Sequence, residues 1–182
     1  MKVFIFLFMI CVLQINAQTK GFGIILGEEL TAHFVKFNYG GQFFLLKDPN
    51  FFTISYHHTF DLYRYVMPLR TESEHFKTLS FDYDQLMTET LNPPYFFLST
   101  YKISFYTRYG LHFTHGERIE EHSGTYRSFA FDDLGLKLGL SLKFFQDNYK
   151  QQDISVNLLL NKDFYRIQIF YCYNYFMHGK MF

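Results

Sequence analysis

Apolar and polar residues alternate along most of this chain. From Leu134 onward, Leu134, Leu136, Leu138, Leu140 and Leu142 fall on one side, and Gly135, Lys137, Gly139, Ser141 and Lys143 on the other. Ile103, Phe105, Thr107, Tyr109, Leu111 and Phe113 oppose Ser104, Tyr106, Arg108, Gly110, His112 and Thr114. Phe52, Ile54, Tyr56, His58, Phe60 and Leu62 oppose Thr53, Ser55, His57, Thr59 and Asp61. The same rhythm sets Lys77, Leu79, Phe81 and Tyr83 against Thr78, Ser80, Asp82 and Asp84. It sets Ile154, Val156, Leu158 and Leu160 against Ser155, Asn157 and Asn161, with Leu159 breaking the pattern. Ile167, Ile169, Tyr171, Tyr173 and Tyr175 likewise oppose Arg166, Gln168, Phe170, Cys172 and Asn174. Period two in β-branched and aromatic residues predicts strands with two unlike faces.

Turn-forming residues punctuate these runs at Asp48-Pro49-Asn50, Thr71 to Glu74, Asn92-Pro93-Pro94, His115-Gly116-Glu117, Asp132-Asp133, Gln146-Asp147-Asn148 and Asn161-Lys162-Asp163. The strands predicted between them are 30–47, 51–66, 75–84, 95–114, 124–131, 134–145, 152–161 and 164–177. That makes eight, with a bulge or kink expected at Gly40-Gly41. Gly21 to Leu26 is the alternative separate strand, with Gly40-Gly41 then a hairpin turn, so the range is eight to ten.

The first residues differ from the rest. Lys2 precedes an unbroken apolar run, Val3 to Leu13, followed by Gln14-Ile15-Asn16-Ala17-Gln18. A basic start, a short apolar run and a small residue predict a signal peptide over 1–17 cleaved after Ala17. Spanning a bilayer as a helix takes about 20 apolar residues, and this run is shorter. Ile10 before Cys11 argues against a lipoprotein. Residues 18–182 then form one domain, with Cys172 its one cysteine and hence no internal disulfide.

Composition narrows the class. The chain carries 25 Phe, 15 Tyr and no Trp, with 17 Lys+Arg balancing 17 Asp+Glu. So many aromatics exclude intrinsic disorder, and zero net charge argues against a nucleic-acid partner. Two-faced strands build either a soluble barrel with the apolar face inside or a membrane barrel with it outside. Three features favour the second. The apolar faces carry large residues over about 10 positions, the length of a tilted membrane strand. Lys, Arg, Asp, Ser and Asn stand mid-strand on the other face, where a lumen can pair them. Tyr and Phe gather near strand ends, as in interfacial girdles. The expected fold is therefore all-β: a closed antiparallel transmembrane barrel of about eight strands. Asp82, Asp84, Arg108, Lys137, Lys143 and Arg166 are expected to pair across its lumen and close it.

The final strand is followed by His178-Gly179-Lys180-Met181-Phe182, so the sequence ends on Phe. With the leader and the alternating strands, this terminal aromatic resembles the small outer-membrane β-barrel proteins of Bacteroidota. The resemblance implies location in the cell outer membrane and a non-enzymatic role, structural or as an accessory subunit of a transport, secretion or assembly complex. The partners implied are outer-membrane lipids including lipopolysaccharide, and another outer-membrane protein. Loops 67–74, 85–94 and 115–124 are the expected contact regions.

Candidate chemistry is sparse. His57 and His58 are adjacent on a strand and face opposite ways, so one metal cannot take both from one face. His112, His115 and His122 match no zinc spacing, and neither a metal site nor a cofactor is expected. Gly21-x-Gly23-x-x-x-Gly27 has the wrong spacing for a dinucleotide loop and precedes no helix. His112-Phe113-Thr114 resembles the His and Ser two apart on a strand in barrel lipid A deacylases, with Thr in place of the nucleophile and His115 where an Asn or Gly follows in that family. A lipid A hydrolase and a soluble lipocalin-like carrier are the alternatives to a non-enzymatic barrel, and no catalytic residue is assigned.

Overall fold

Alternation of this kind gives each strand one face to bury, and here the strands bury it by closing on themselves. The computed structural model describes residues 19–30, 35–47, 49–60, 72–91, 102–122, 125–146, 149–162 and 165–177. Eight strands span β1 Thr19–Leu30, β2 Val35–Lys47, β3 Asn50–Phe60, β4 Glu72–Leu91, β5 Lys102–His122, β6 Thr125–Phe145, β7 Lys150–Leu160 and β8 Tyr165–Phe176. Each pairs antiparallel with the next, and β8 pairs with β1 to close the barrel. Closure leaves no free sheet edge within the paired region.

The register fixes the barrel's shape. One path across the ladders runs from Leu142 through Ile154, Tyr171, Leu26, Tyr39, His58, Lys77 and His115 to Asp132. It leaves β6 at Leu142 and returns at Asp132, ten residues away, so the shear is ten for eight strands. With about 3.3 Å per residue and 4.7 Å between strands, that shear tilts the strands by about 40°. One turn of the path then climbs about 25 Å along the barrel axis, or about 3 Å per ladder.

The strand boundaries differ from the sequence reading in instructive places. Gly21 to Leu26 lies in a strand of its own, and Gly40-Gly41 is neither turn nor kink. Both glycines are paired in mid-strand with β1 and β3. Gly40 is there for close approach: a Cβ would collide with the Tyr56 carbonyl and lie 2.6 Å from His57 Cα. Asp132-Asp133 does not divide two strands, because 125–145 is continuous. His115-Gly116-Glu117 is likewise inside β5, opposite Asp132, Phe131 and Ala130. Polar residues interrupt the alternation there because β4, β5 and β6 run on together past the ends of β3 and β7, where outward positions need not be apolar. β4 starts at Glu72, so Glu72 to Glu74 is strand, and a register shift falls between Leu86 and Thr88. One merger, of β1 with β2, and one false split, of β6, thus offset each other, and the expected count of eight is right. The expected leader, Phe182 and residues 61–71, 92–101 and 123–124 lie outside the described residues. Of the expected contact loops, 85–91 and 115–122 are strand.

Candidate functional site: a sealed lumen and an apolar outer wall

The polar face of every strand points inward. Lys36, Lys137, Lys143, Arg108, Arg166, Glu29, Asp84 and Asp153 are all at most 2% exposed. Charges buried so completely must be paired. Asp84 accepts two hydrogen bonds from Arg108, from Nε at 2.6 Å and Nη2 at 2.9 Å. Arg108 Nη2 also reaches Asp153 at 3.2 Å. Lys143 Nζ lies 2.8 Å from Asp84 and 2.9 Å from Asp153. Two cations and two carboxylates thus form one neutral cluster, completed by Ser141 donating to Asp153 at 2.7 Å. Next to it, Lys137 donates to Asp82 at 2.7 Å. Nearer the opposite rim, Arg166 pairs with Glu29 at 3.2 Å, and Gln168 donates to the same carboxylate at 2.6 Å. Lys36 pairs with Glu74 and lies 4.0 Å above the Phe76 ring.

All six lumen charges expected from sequence are therefore inside and paired. Two of their partners, Glu29 and Asp153, and the separate pair Lys36 and Glu74 are absent from that expectation. Asp153 stands one residue before Ile154, so extending the alternation by one position finds it. Glu29 and Lys36 flank a connection that the reading absorbed into one strand, and Glu74 lay in an expected turn.

The lumen is closed at the Thr19 and Phe176 end by rings, not charges. Phe44, Leu46, Phe51, Tyr106, Phe145 and Phe176 form a buried inward cluster. Phe44 meets Phe176 edge-on at 5.0 Å, and Phe51 meets Tyr106 at 5.5 Å. Lys143 Nζ caps this layer, 4.7 Å from the Phe51 ring. Part of the aromatic content thus lies inside the barrel and not in the outer girdles. Small residues on β1 make the room: a Cβ on Gly23 would occupy the place of the Asn174 amide, which accepts from Gln42 at 2.7 Å.

His112 and Thr114 do meet, with Nδ1 3.3 Å from the hydroxyl oxygen. Both are fully buried on the inner face. The Thr114 hydroxyl accepts from Arg166 at 2.7 Å and lies 3.1 Å from Thr78. A deacylase pair must face lipid, and this one faces the lumen. His57 and His58 part as expected: His57 is inside beside Gln168 at 2.9 Å, and His58 is outside. Among the described residues no group of three His, Cys, Asp or Glu is placed to hold a metal.

The outer wall is the reverse of the lumen. Ile24, Leu26, Leu134, Leu136, Leu138, Leu140, Ile154 and Val156 stand open to the surroundings, Leu134 at 68% exposure. Among the described residues the outward charges are confined to the rims. Lys20, Lys47, Gln85 and Lys150 mark one, and Glu28, His58, Lys77 and His115 the other. The path that fixes the shear shows the change directly. It is apolar or aromatic at Leu142, Ile154, Tyr171, Leu26 and Tyr39, then polar at His58, Lys77, His115 and Asp132 as it climbs. The uncharged belt is roughly 20–25 Å high, the height of the lipid-facing band of membrane barrels. A shallow concavity of about 420 Å3 dents it between Phe43, Phe52, Ile54, Tyr109 and Leu111.

No protein-family model matches the chain, and no curated protein sequence matches it. Solved structures do. Neisserial surface protein A is similar over 86% of this chain and 95% of its own, at 6% identity and a TM-score of 0.55. Ail, the attachment invasion locus protein of Yersinia pestis, aligns over 87% and 97% at 12% identity and 0.54. The N-terminal β-barrel domain of Pseudomonas aeruginosa OprF aligns over 88% and 100% at 13% identity and 0.52. The chain therefore has the fold of the small eight-stranded outer-membrane barrels.

Proposed function

We propose that this protein is an integral barrel of a bacterial outer membrane, without catalytic activity. The observation that carries the reading is the sorting of charge. Every lumen charge named above is buried and paired, while the mid-height outer wall bears none. In water such a wall would be an aggregation surface many times larger than the patches soluble monomers tolerate. In a bilayer it is the requirement. A lipocalin-like carrier needs the opposite sorting, an apolar cavity inside and a polar outside. The lid of rings and the paired charges leave the lumen no route for a solute, so the role does not run through the barrel. It runs along the wall and the rims. That favours a structural part, or an accessory subunit held against another outer-membrane protein, with surrounding lipids as the constant partner.

The test is fractionation of cells expressing the full chain. The protein is expected in the outer-membrane fraction, resistant to urea wash, and to migrate differently on gels before and after boiling. Release into the soluble fraction by osmotic shock would overturn the reading. Extraction in mild detergent then tests the subunit role: a partner in fixed ratio supports it, and a monodisperse lone barrel refutes it.

A further inference from the structure

The outer wall carries one polar cluster that the barrel itself does not use. Tyr39, His58 and Lys77 are consecutive outward positions on β2, β3 and β4, each directly paired with the next. The Tyr39 hydroxyl lies 3.0 Å from His58 Nδ1, and their rings are 5.5 Å apart. His75, one outward position further along β4, places its ring 6.4 Å from that of His58. Phe60 packs edge-on against Tyr39 at 5.8 Å and against Phe37 at 5.4 Å, giving the group an aromatic border. Of the acids of this rim, Glu28 stands on β1 opposite Phe37, and two others lie beside His115 on β5 and β6. Asp132 holds His115 at 2.7 Å, and Glu117 lies 4.0 Å from the same imidazole and opposite His75 in the ladder. Among the described residues the Lys77 ammonium has no acidic partner.

The height of this cluster decides what it can meet. It stands where the climbing path passes from apolar to polar, at the boundary of the uncharged belt. Groups at that level face lipid headgroups, not bulk water or hydrocarbon. One ammonium, imidazole nitrogens and a phenol are donors of the kind that hold phosphate oxygens. Below it the wall is shaped as well. Gly41, the next outward position on β2, leaves a notch whose nearest atom is the Gly23 carbonyl oxygen at 3.6 Å from where a Cβ would stand. Beyond the notch lies the apolar concavity between Phe43, Ile54 and Leu111. From His58 to Ile54 is four residues, about 13 Å along the strand, well within the reach of one acyl chain.

We propose that Tyr39, His58, His75 and Lys77 bind the phosphate of an anionic membrane lipid whose acyl chain descends past Gly41 into the concavity. This rests on the membrane-barrel reading and assigns the lipid's place on the wall. The experiment uses the whole protein folded in mixed micelles that contain diphosphoryl lipid A, phosphatidylglycerol or zwitterionic phosphatidylcholine, with retained lipid read by native mass spectrometry. One or both anionic lipids are expected to be retained above phosphatidylcholine. Lys77→Gln should lower that retention about fivefold, the effect of one lysine beside an anionic lipid surface. Lys77→Arg should restore it, and Lys47→Gln at the opposite rim should match the parent. Equal retention of all three lipids, an equal loss in Lys47→Gln, or displacement by inorganic phosphate alone would overturn the site; the last outcome means a free-anion site only. Should Lys77→Gln not fold, salt takes its place: retention of anionic lipid by the parent must fall as ionic strength rises, and no fall refutes the site. The boiling-dependent gel shift, read on the same samples, reports the barrel separately. Its absence in the parent would count against the membrane reading, whereas its presence without lipid retention counts against this site alone.

Discussion

Replacing Arg108 by Met tests whether the lumen is as dry as its geometry implies. In the native cluster Arg108 and Lys143 balance Asp84 and Asp153, with all four side chains at most 3% exposed. Methionine fills much of the volume and removes one cation. Lys143, at 2.8 Å and 2.9 Å from the two carboxylates, can balance only one of them. One buried negative charge is left over, and breaking a buried pair in this way costs about 3–5 kcal/mol. Asp84→Asn leaves the complementary excess, Arg108 and Lys143 sharing Asp153, at a similar cost. The double variant leaves Lys143 and Asp153 as a neutral pair, so its cost should fall to about 1–2 kcal/mol, the loss of hydrogen bonds without a stranded charge. On these costs the two substitutions are coupled by at least about 4 kcal/mol.

The assay is urea unfolding of the protein in phospholipid vesicles. The chain has no Trp, so the folded fraction is read by gel migration without boiling and by far-ultraviolet dichroism. Stability of each variant is compared at the same pH and salt. A cost below about 1 kcal/mol for Arg108→Met, with additive effects in the double variant, would refute the reasoning, because charges that water solvates can be removed singly without stranding a partner.

Three further outcomes follow from the same geometry. Gly40→Ala should block folding or destabilise severely, since its Cβ meets the Tyr56 carbonyl and the His57 backbone, while Gly41→Ala should fold normally, its Cβ being 3.6 Å from the nearest atom; folding yields decide, and equal yields refute the close-approach account. Leu138→Arg, at mid-height on the outer wall and paired with Tyr109, should cost about 2–4 kcal/mol in vesicles, and His58→Arg at the rim about 0–1. Equal costs would mean that the belt is misplaced. In planar bilayers the protein should give no stepwise conductance, because the inward rings of Phe44, Phe51, Tyr106, Phe145 and Phe176 close one end; resolved ion steps would show the lumen open.

Alternation alone settled which residues share a face, down to the neutral interruption at Leu159, which is inward and fully buried. It also settled that Arg108, Lys137 and Arg166 belong together on the inside. Boundaries were less legible wherever local chemistry imitated a turn. Gly40-Gly41 looks like a hairpin in one dimension, yet Gly40 is small because β3 passes close to it. His115-Gly116-Glu117 and Asp132-Asp133 look like loops, yet they are cross-strand partners on a hairpin extending past the belt, His115 bonding Asp132 at 2.7 Å. The outer cluster was hidden for a related reason. Tyr39, His58 and Lys77 are nineteen residues apart at each step, and only the register makes them neighbours.

The shear also explains why so neutral a chain needs such long cations. Eight strands with a shear of ten enclose an interior that side chains just fill, so groups from non-adjacent strands must meet near the axis. Asp82 and Lys137 stand two strands apart, and so do Lys36 and Glu74; Arg166 on β8 reaches Thr114 on β5, three strands away. Short acids paired with long cations span those gaps where two short groups would leave voids or stranded charge. Each such pair is neutral, so the balance of 17 against 17 is in part the stoichiometry of a lumen whose buried charges named above are all paired. A pore would show the reverse, charges lining a wall and facing water, with no need for equal numbers. The charge count and the closed lumen are thus one constraint, and it directs the search for function to the wall and the rims.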